Sequence, residues 1–187
     1  MKKILLVAAM AIVSLSVSAQ NLKFAHVNYS ELVQLMPEAD AARAQMTAQS
    51  KEYEDTYQSM VEEFQTKLSQ YQQKSSTWTA TIKESKEKEL TDIQNRIQEF
   101  QQTASSELQQ SQNDLMAPIQ QKAMDTVTKL AKEGGYVYVF EQSSLLYVDA
   151  SQSTDLTPAA RKALNIPEGR TIEKLQEELA AAQQTAE

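Results

Sequence analysis

Residues 38–133 read EADAARAQMTAQSKEYEDTYQSMVEEFQTKLSQYQQKSSTWTATIKESKEKELTDIQNRIQEFQQTASSELQQSQNDLMAPIQQKAMDTVTKLAKE. The stretch holds no glycine and one proline, Pro118. Its apolar positions recur at helical spacing. The first half carries Ala39, Ala42, Met46, Tyr53, Tyr57, Met60, Phe64, Leu68 and Tyr71, with Gln49 in the slot between Met46 and Tyr53. The second half carries Ile82, Leu90, Ile93, Ile97, Phe100, Ala104, Leu108, Leu115, Ile119, Ala123, Val127 and Leu130. Steps of three and four are the mark of an amphipathic or coiled-coil stripe. One uninterrupted helix would reach roughly 140 Å at 1.5 Å per residue. The spacing instead predicts a long antiparallel helical hairpin.

The place of reversal is Lys74-Ser75-Ser76-Thr77-Trp78-Thr79-Ala80-Thr81, where five of eight residues are Ser or Thr. Such side chains compete for their own backbone and favour helix ends. Pro37 suits the first turn of the first helix. Pro118 is expected to kink the second. The midpoint between these prolines falls at Thr77 and Trp78, so the two arms match at about 40 residues, roughly 60 Å each. Gly134-Gly135 is expected to stop the second helix.

The flanks are read outward from this hairpin. Residues 1–19 have the form of a secretory signal peptide: Lys2-Lys3, an apolar run from Ile4 to Val13, and small residues before an expected cut after Ala19. No cysteine occurs anywhere, so neither a lipid anchor nor a disulfide is expected. The mature chain is expected to be exported and soluble. Loss of Lys2 and Lys3 takes the formal charge from −7 to −9. Residues 22–28 (LKFAHVN) read as a strand, with Leu22, Phe24 and His26 on one face and Ala25 and Val27 on the other. A short helix follows, with Ser30 as its expected N-cap. Residues 136–140 (YVYVF) are the strongest strand signal, and residues 145–148 (LLYV) read as a second strand closing a β-hairpin. Residues 150–155 read as polar loop. Thr157-Pro158 opens a helix as N-cap and first residue. The tail has Ile172, Leu175 and Leu179 at helical spacing, and reads either as a docked helix or as a disordered end.

The expected fold class is therefore mostly α with a small β base, the helical hairpin being inserted between strands of that base. The expected division is 1–19 signal peptide, 20–37 and 118–165 head, 38–117 arm with its tip near 74–81, and 166–187 tail.

No constellation suggests an enzyme. Glu62-Glu63 and Glu177-Glu178 are adjacent on helices and point apart, so they read as solvated charges. His26 has no second His and no Cys to complete a metal site, and reads as a core or interface residue. Gly134-Gly135 lacks the spacing and the Lys of a phosphate loop. No cofactor or metal is expected, and acidity with export disfavours nucleic acid.

The chain resembles the Skp (OmpH-like) periplasmic chaperones of Gram-negative bacteria over residues 1 to about 165. The residues that carry the resemblance are the signal peptide, Phe24-Ala25-His26-Val27-Asn28-Tyr29-Ser30-Glu31-Leu32, and Pro118-Ile119 through Gly134-Gly135-Tyr136-Val137-Tyr138-Val139-Phe140. Leu145-Leu146-Tyr147-Val148 and Asp155-Leu156-Thr157 complete the set. The resemblance implies a jellyfish-like homotrimer in the periplasm. Its arms would enclose unfolded outer-membrane proteins and prevent their aggregation without ATP. Leu22, Phe24, Val27, Val137, Val139, Leu146 and Val148 would form the head core or trimer interface. Pro37 and Pro118 would mark the hairpin base.

Tyr53, Tyr57, Met60, Val61, Phe64, Tyr71 and Phe100 would line the client cavity. The bland alternative is that they form the seam between the two arm helices, as long-helix stripes usually do. Trp78 suits either a client contact at the tip or a hairpin-closing contact. Best-known members of this family are basic. Here residues 38–133 carry 11 Lys/Arg against 16 Asp/Glu, so contact with membrane or lipopolysaccharide is left open. A structural or adaptor coiled coil of the cell envelope is the alternative function. The sizeable β-domains that flank an adaptor hairpin have little room in the short segment before Pro37.

Overall fold

The computed structural model describes residues 22–184. The expected signal peptide and the cut after Ala19 lie outside the described residues. In chain order the elements are β1 (Lys23–Val27), α1 (Tyr29–Leu35), α2 (Pro37–Lys74), α3 (Ala80–Gly134), β2 (Tyr136–Glu141), β3 (Ser153–Asp155), α4 (Thr157–Ala163) and α5 (Ile172–Gln184).

Helices α2 and α3 form the arm. Pro37 sits in the first turn of α2, after an extended Met36 with ψ 141°, because the residue before proline avoids helical backbone. A single 3-10 turn, Ser75–Thr77, and an extended Trp78 reverse the chain. Thr79 caps α3, its hydroxyl accepting from the amide of Ile82 at 3.4 Å. Cross-arm pairs fix an antiparallel register: Glu38 with Lys122, Tyr53 with Glu107, Glu63 with Arg96, Lys67 with Glu89 and Tyr71 with Glu87. Helix α3 continues through Pro118 to Gly134, and Gly135 ends it at φ 68°, the left-handed conformation that glycine tolerates best.

The arm runs into a small head. Strand β1 is central, with β2 on one side and β3 on the other, both parallel to it. The expected β-hairpin is therefore corrected. Residues 145–148 form no strand in the single chain, and the third strand comes from Ser153–Asp155 in the supposed polar loop. Strand propensity reports fitness for a pleated surface, not the presence of a neighbour. LLYV has no partner strand within the described residues. The start of β3 is set by Asp149, whose Oδ1 accepts from the Ser151 amide at 2.9 Å and whose carbonyl accepts from the amides of Gln152 and Ser153. This Asx-type turn aims the chain back at β1.

Two caps also differ from expectation. Asn28, not Ser30, caps α1: its Oδ1 accepts from the Glu31 amide at 3.0 Å, and its Nδ2 donates back to Glu31 Oε2. Thr157 is the first residue of α4 rather than its cap. Its hydroxyl instead accepts from the Asn28 amide at 2.9 Å, and its own amide donates to Asp155 Oδ1 at 2.8 Å. One cap and one hydroxyl thus join the two ends of the chain.

The core lies between the sheet and the helices. Ala25, Val27, Leu32, Val33, Leu35 and Met36 meet Ala39 and Ala42 from α2, and Ile119, Ala123 and Val127 from α3. Leu156, Ala160, Leu164, Ile166 and Leu175 close it from the C-terminal side. The tail is a docked helix, since Leu175 is buried and Ile172 packs against the core. Phe24, Val139 and Val148 are half-buried, whereas Leu22, Val137 and Leu146 are exposed. Among the head residues singled out from sequence, Val27 alone is buried in the core of one chain.

Candidate functional site

Two surfaces of the chain are candidates: the apolar stripe of the arm and the outer face of the sheet. On the arm, Tyr53, Tyr57, Met60, Val61, Phe64, Tyr71, Trp78 and Phe100 are all half-buried. Along the outer arm Ile93 and Ala104 alone are fully enclosed. Two helices have too little facing surface to cover a stripe that broadens at Met60 and Val61. Each of these side chains has one side in the seam and another toward water.

The aromatic residues are held in fixed poses. Tyr53 and Phe100 meet edge-to-face with ring centres 6.0 Å apart. Tyr71 and Trp78 meet similarly at 5.8 Å, so Trp78 closes the tip while part of it stays open. Edge-to-face contact places positive ring edges on a negative ring face. The hydroxyls of Tyr53 and Tyr71 donate to Glu107 and Glu87 on α3. Those bonds to carboxylates push both phenol pKa values up. Near the tip, Glu89 accepts from Lys67 across the arm and from Lys86 at 2.7 Å along α3. The two ammonium groups hold its carboxyl down at about 2. The arm therefore presents apolar rings flanked by paired charges of both signs.

On the head, the sheet face away from the helices carries an aromatic strip. Phe24 stacks on Tyr138 at 6.3 Å with planes 4° apart, and Tyr138 lies 6.0 Å from Phe140. Tyr138 and Phe140 are 58% and 44% exposed. The loop after β2 holds out Leu146, fully exposed, and Tyr147, 81% exposed. On the opposite face a groove of about 630 Å³ runs between β2 and α3, lined by Val27, Val127, Tyr136, Val137 and Val139. Strand β2 is an edge, so its outward backbone groups are a template for further pairing. His26 is buried, and its Nδ1 lies 2.9 Å from Ser153 Oγ, which accounts for it as a structural residue of the sheet.

No group of carboxylates or His among the described residues is arranged to hold a metal. No described helix is long and apolar enough to cross a membrane. Sequence reasoning missed three features. One is the Asn28 cap with its reciprocal side-chain bond to Glu31, visible as Asn-x-x-Glu. Another is the Asp149 turn, visible as Asp-x-Ser. The third is a pair of arginines, Arg161 and Arg170, that tie the tail to the head and arm and have no short-range signature.

Comparison with known proteins agrees with this architecture. The family model described as "Outer membrane protein (OmpH-like)" matches residues 23–164. A "Chaperone protein Skp" from Yersinia enterocolitica is 29% identical over 157 residues, covering 81% of this chain and 93% of that protein. Another from Pectobacterium atrosepticum is 28% identical over 164 residues, covering 84% and 95%. A solved OmpH-like structure from Caulobacter crescentus CB15 shares the fold, with a TM-score of 0.69 at 12% identity over 77% of this chain and 84% of that one. With the matched span running from β1 to the end of α4, the chain belongs to the OmpH-like family, and the two relatives above are named as chaperones.

Proposed function

We propose that this protein is an ATP-independent holdase of the periplasm. It binds unfolded outer-membrane proteins in a cavity between the arms of a homotrimer and keeps them from aggregating. The observation that carries the reading is the half-covered aromatic stripe on a projecting arm. Helix α2 alone has 38 residues, a lever of roughly 57 Å at 1.5 Å per residue. A stripe that two helices cannot cover has apolar surface left for a third body. An unfolded β-barrel exposes apolar strand faces and unpaired edges, which are the groups that aggregate. Shallow contacts spread along several arms retain such a client by avidity, while each contact lets go quickly. Release then needs no nucleotide.

The unpartnered surfaces of the head support the trimer. The aromatic strip, the free edge of β2 and the strand-forming residues 145–148 lack partners among the described residues, and further copies of the chain would supply them. Residues 145–148 would then be strand in the assembly, as their composition suggests.

The experiment is an aggregation assay on the mature protein. A urea-unfolded outer-membrane β-barrel is diluted with and without it, no nucleotide being present, and light scattering is followed. Sedimentation velocity on the same mixture gives stoichiometry. Suppressed scattering with one client per trimer is the expected result. Unchanged scattering across a salt range would transfer the assignment to a structural or adaptor coiled coil. Deletion of residues 136–148 should abolish the trimer and keep most of the helicity, and a trimer that survives this deletion would refute the head assignment.

A further inference from the structure

The root of the arm contains a proline in each helix, the two lying about a turn and a half apart along the arm. Helix α1 ends at Met36, where the backbone turns extended before Pro37. Further along the arm, α3 passes through Pro118, which has no amide hydrogen to donate to the preceding turn. Pro118 lies beside Ala41 and Ala42 of α2, in a groove shared with Ile119 and Lys122. Each helix of the arm therefore has a proline where it leaves the packed core that holds Ala39, Ala42 and Ile119.

The tail crosses the root of the arm. Asn165, at φ 57°, ends α4 and turns the chain, and Ile166 and Leu175 are buried in the head core. Between them, Arg170 reaches to the arm: its Nη2 donates to Asp40 Oδ1 at 2.6 Å, and its Nη1 lies 3.5 Å from Glu178. The Arg170 side chain is 18% exposed. Its carbonyl accepts from Arg161 Nη2 at 2.6 Å, and Arg161 also pairs with Glu31 of α1. Asp40 is shared with Arg43, which in turn donates to the Gln34 carbonyl at 3.1 Å. A continuous chain of charge-assisted bonds thus runs from α4 and α1, through the tail, to the first turn of α2.

We infer that residues 165–184 are a clasp that sets the angle of the arm on the head, with Arg170 as its positioning residue. The segment lies beyond the residues the family model matches. The tail is fixed to the head by apolar burial, and Arg170 is the ion-pair link by which it grips the arm. A planar guanidinium suits this post, because it faces two carboxylates at once and stays charged at every working pH. The lever makes the angle matter: ten degrees at the root moves the end of a roughly 57 Å helix by roughly 10 Å. The width of any space between arms is then set at Asp40.

The test uses the full mature chain. Hydrogen exchange is followed by mass spectrometry in the native protein and in Arg170→Met, which keeps the aliphatic stem. Losing a charge-assisted bond at a hinge should speed exchange of the residues 38–43 segment by roughly tenfold, with the β1 segment unchanged. Arg170→Lys should recover part of the protection. Asp40→Asn, which cuts the same link from the arm side, should reproduce the loss. Spin labels on Ser76→Cys and Ser151→Cys, in labelled chains diluted with unlabelled ones, should show a broader head-to-tip distance distribution in Arg170→Met. Unchanged exchange at 38–43 would overturn the clasp. So would equal loosening of β1 and α2, because Arg170 would then be an ordinary stabilising contact. Neither readout involves a client, so the result stands apart from the holdase assay.

Discussion

At the scale of single residues, the head is joined by a few short polar side chains that do unexpected jobs. Asn28 caps α1 while its backbone amide is taken by Thr157, 129 residues away. Asn28→Ala should lower the stability of the head by about 1–2 kcal/mol, seen as a lower urea midpoint at unchanged slope. Ser30→Ala should be nearly neutral, because Ser30 lies inside the helix and bonds only Gln34. The contrast decides between the two caps. Asn28 and Ser30 both precede an apolar helical run, and the reciprocal Asn-x-x-Glu pattern is the cue that separates them. Thr157 was legible as a helix start, but its tertiary bond was not. No local pattern tells a hydroxyl which distant amide it will meet.

At the scale of elements, the arm follows directly from its spacing and the sheet does not. A helix satisfies its own backbone, so periodicity, two prolines and a Ser/Thr cluster were enough to read the hairpin. A strand needs a neighbour. Residues 145–148 have every strand preference and no partner among the described residues, whereas Ser153–Asp155 has little preference and sits against β1 because Asp149 turns it there. For the arm, Pro118→Ala should restore the missing amide donor and stiffen α3. The expected gain is about 1–3 kcal/mol, measured by thermal melting followed at the helical band. Near the tip, the depressed Glu89 carboxyl stabilises the folded arm above its ordinary value of 4.5, and that contribution disappears as pH falls through about 2. The partners are partly solvated, so the effect should stay under roughly 1 kcal/mol and shrink with salt. The protection factors of residues 64–90, taken relative to the intrinsic exchange rate at each pH, should fall between pH 4.5 and 2 in the native chain, and Glu89→Gln should remove that dependence.

At the scale of the whole molecule, the distribution of exposed apolar groups separates a framework from the surfaces proposed to act. The framework core is continuous from β1 to α5. Outside it, Tyr138, Phe140, Leu146 and Tyr147 are left in solvent. Leu146→Asp with Tyr147→Asp should therefore leave helicity intact and convert a trimer to monomers in sedimentation velocity. A trimer that survives both changes would place the assembly contact elsewhere. The centre of the sheet also imposes an order of events on biosynthesis. Strand β1 is near the start of the described chain, and Lys23 bonds a carbonyl 111 residues downstream, at Gly134. At roughly 5–20 residues per second of synthesis, the nascent first strand waits several seconds or more for either neighbour. The pairs at the tip of the hairpin, Tyr71 with Glu87 and Lys67 with Glu89, are 16 and 22 residues apart and form ahead of the root pair, Glu38 with Lys122, which spans 84. The folding chain thus has the tip of its arm before its head, and until the sheet closes it is itself an incompletely folded β protein.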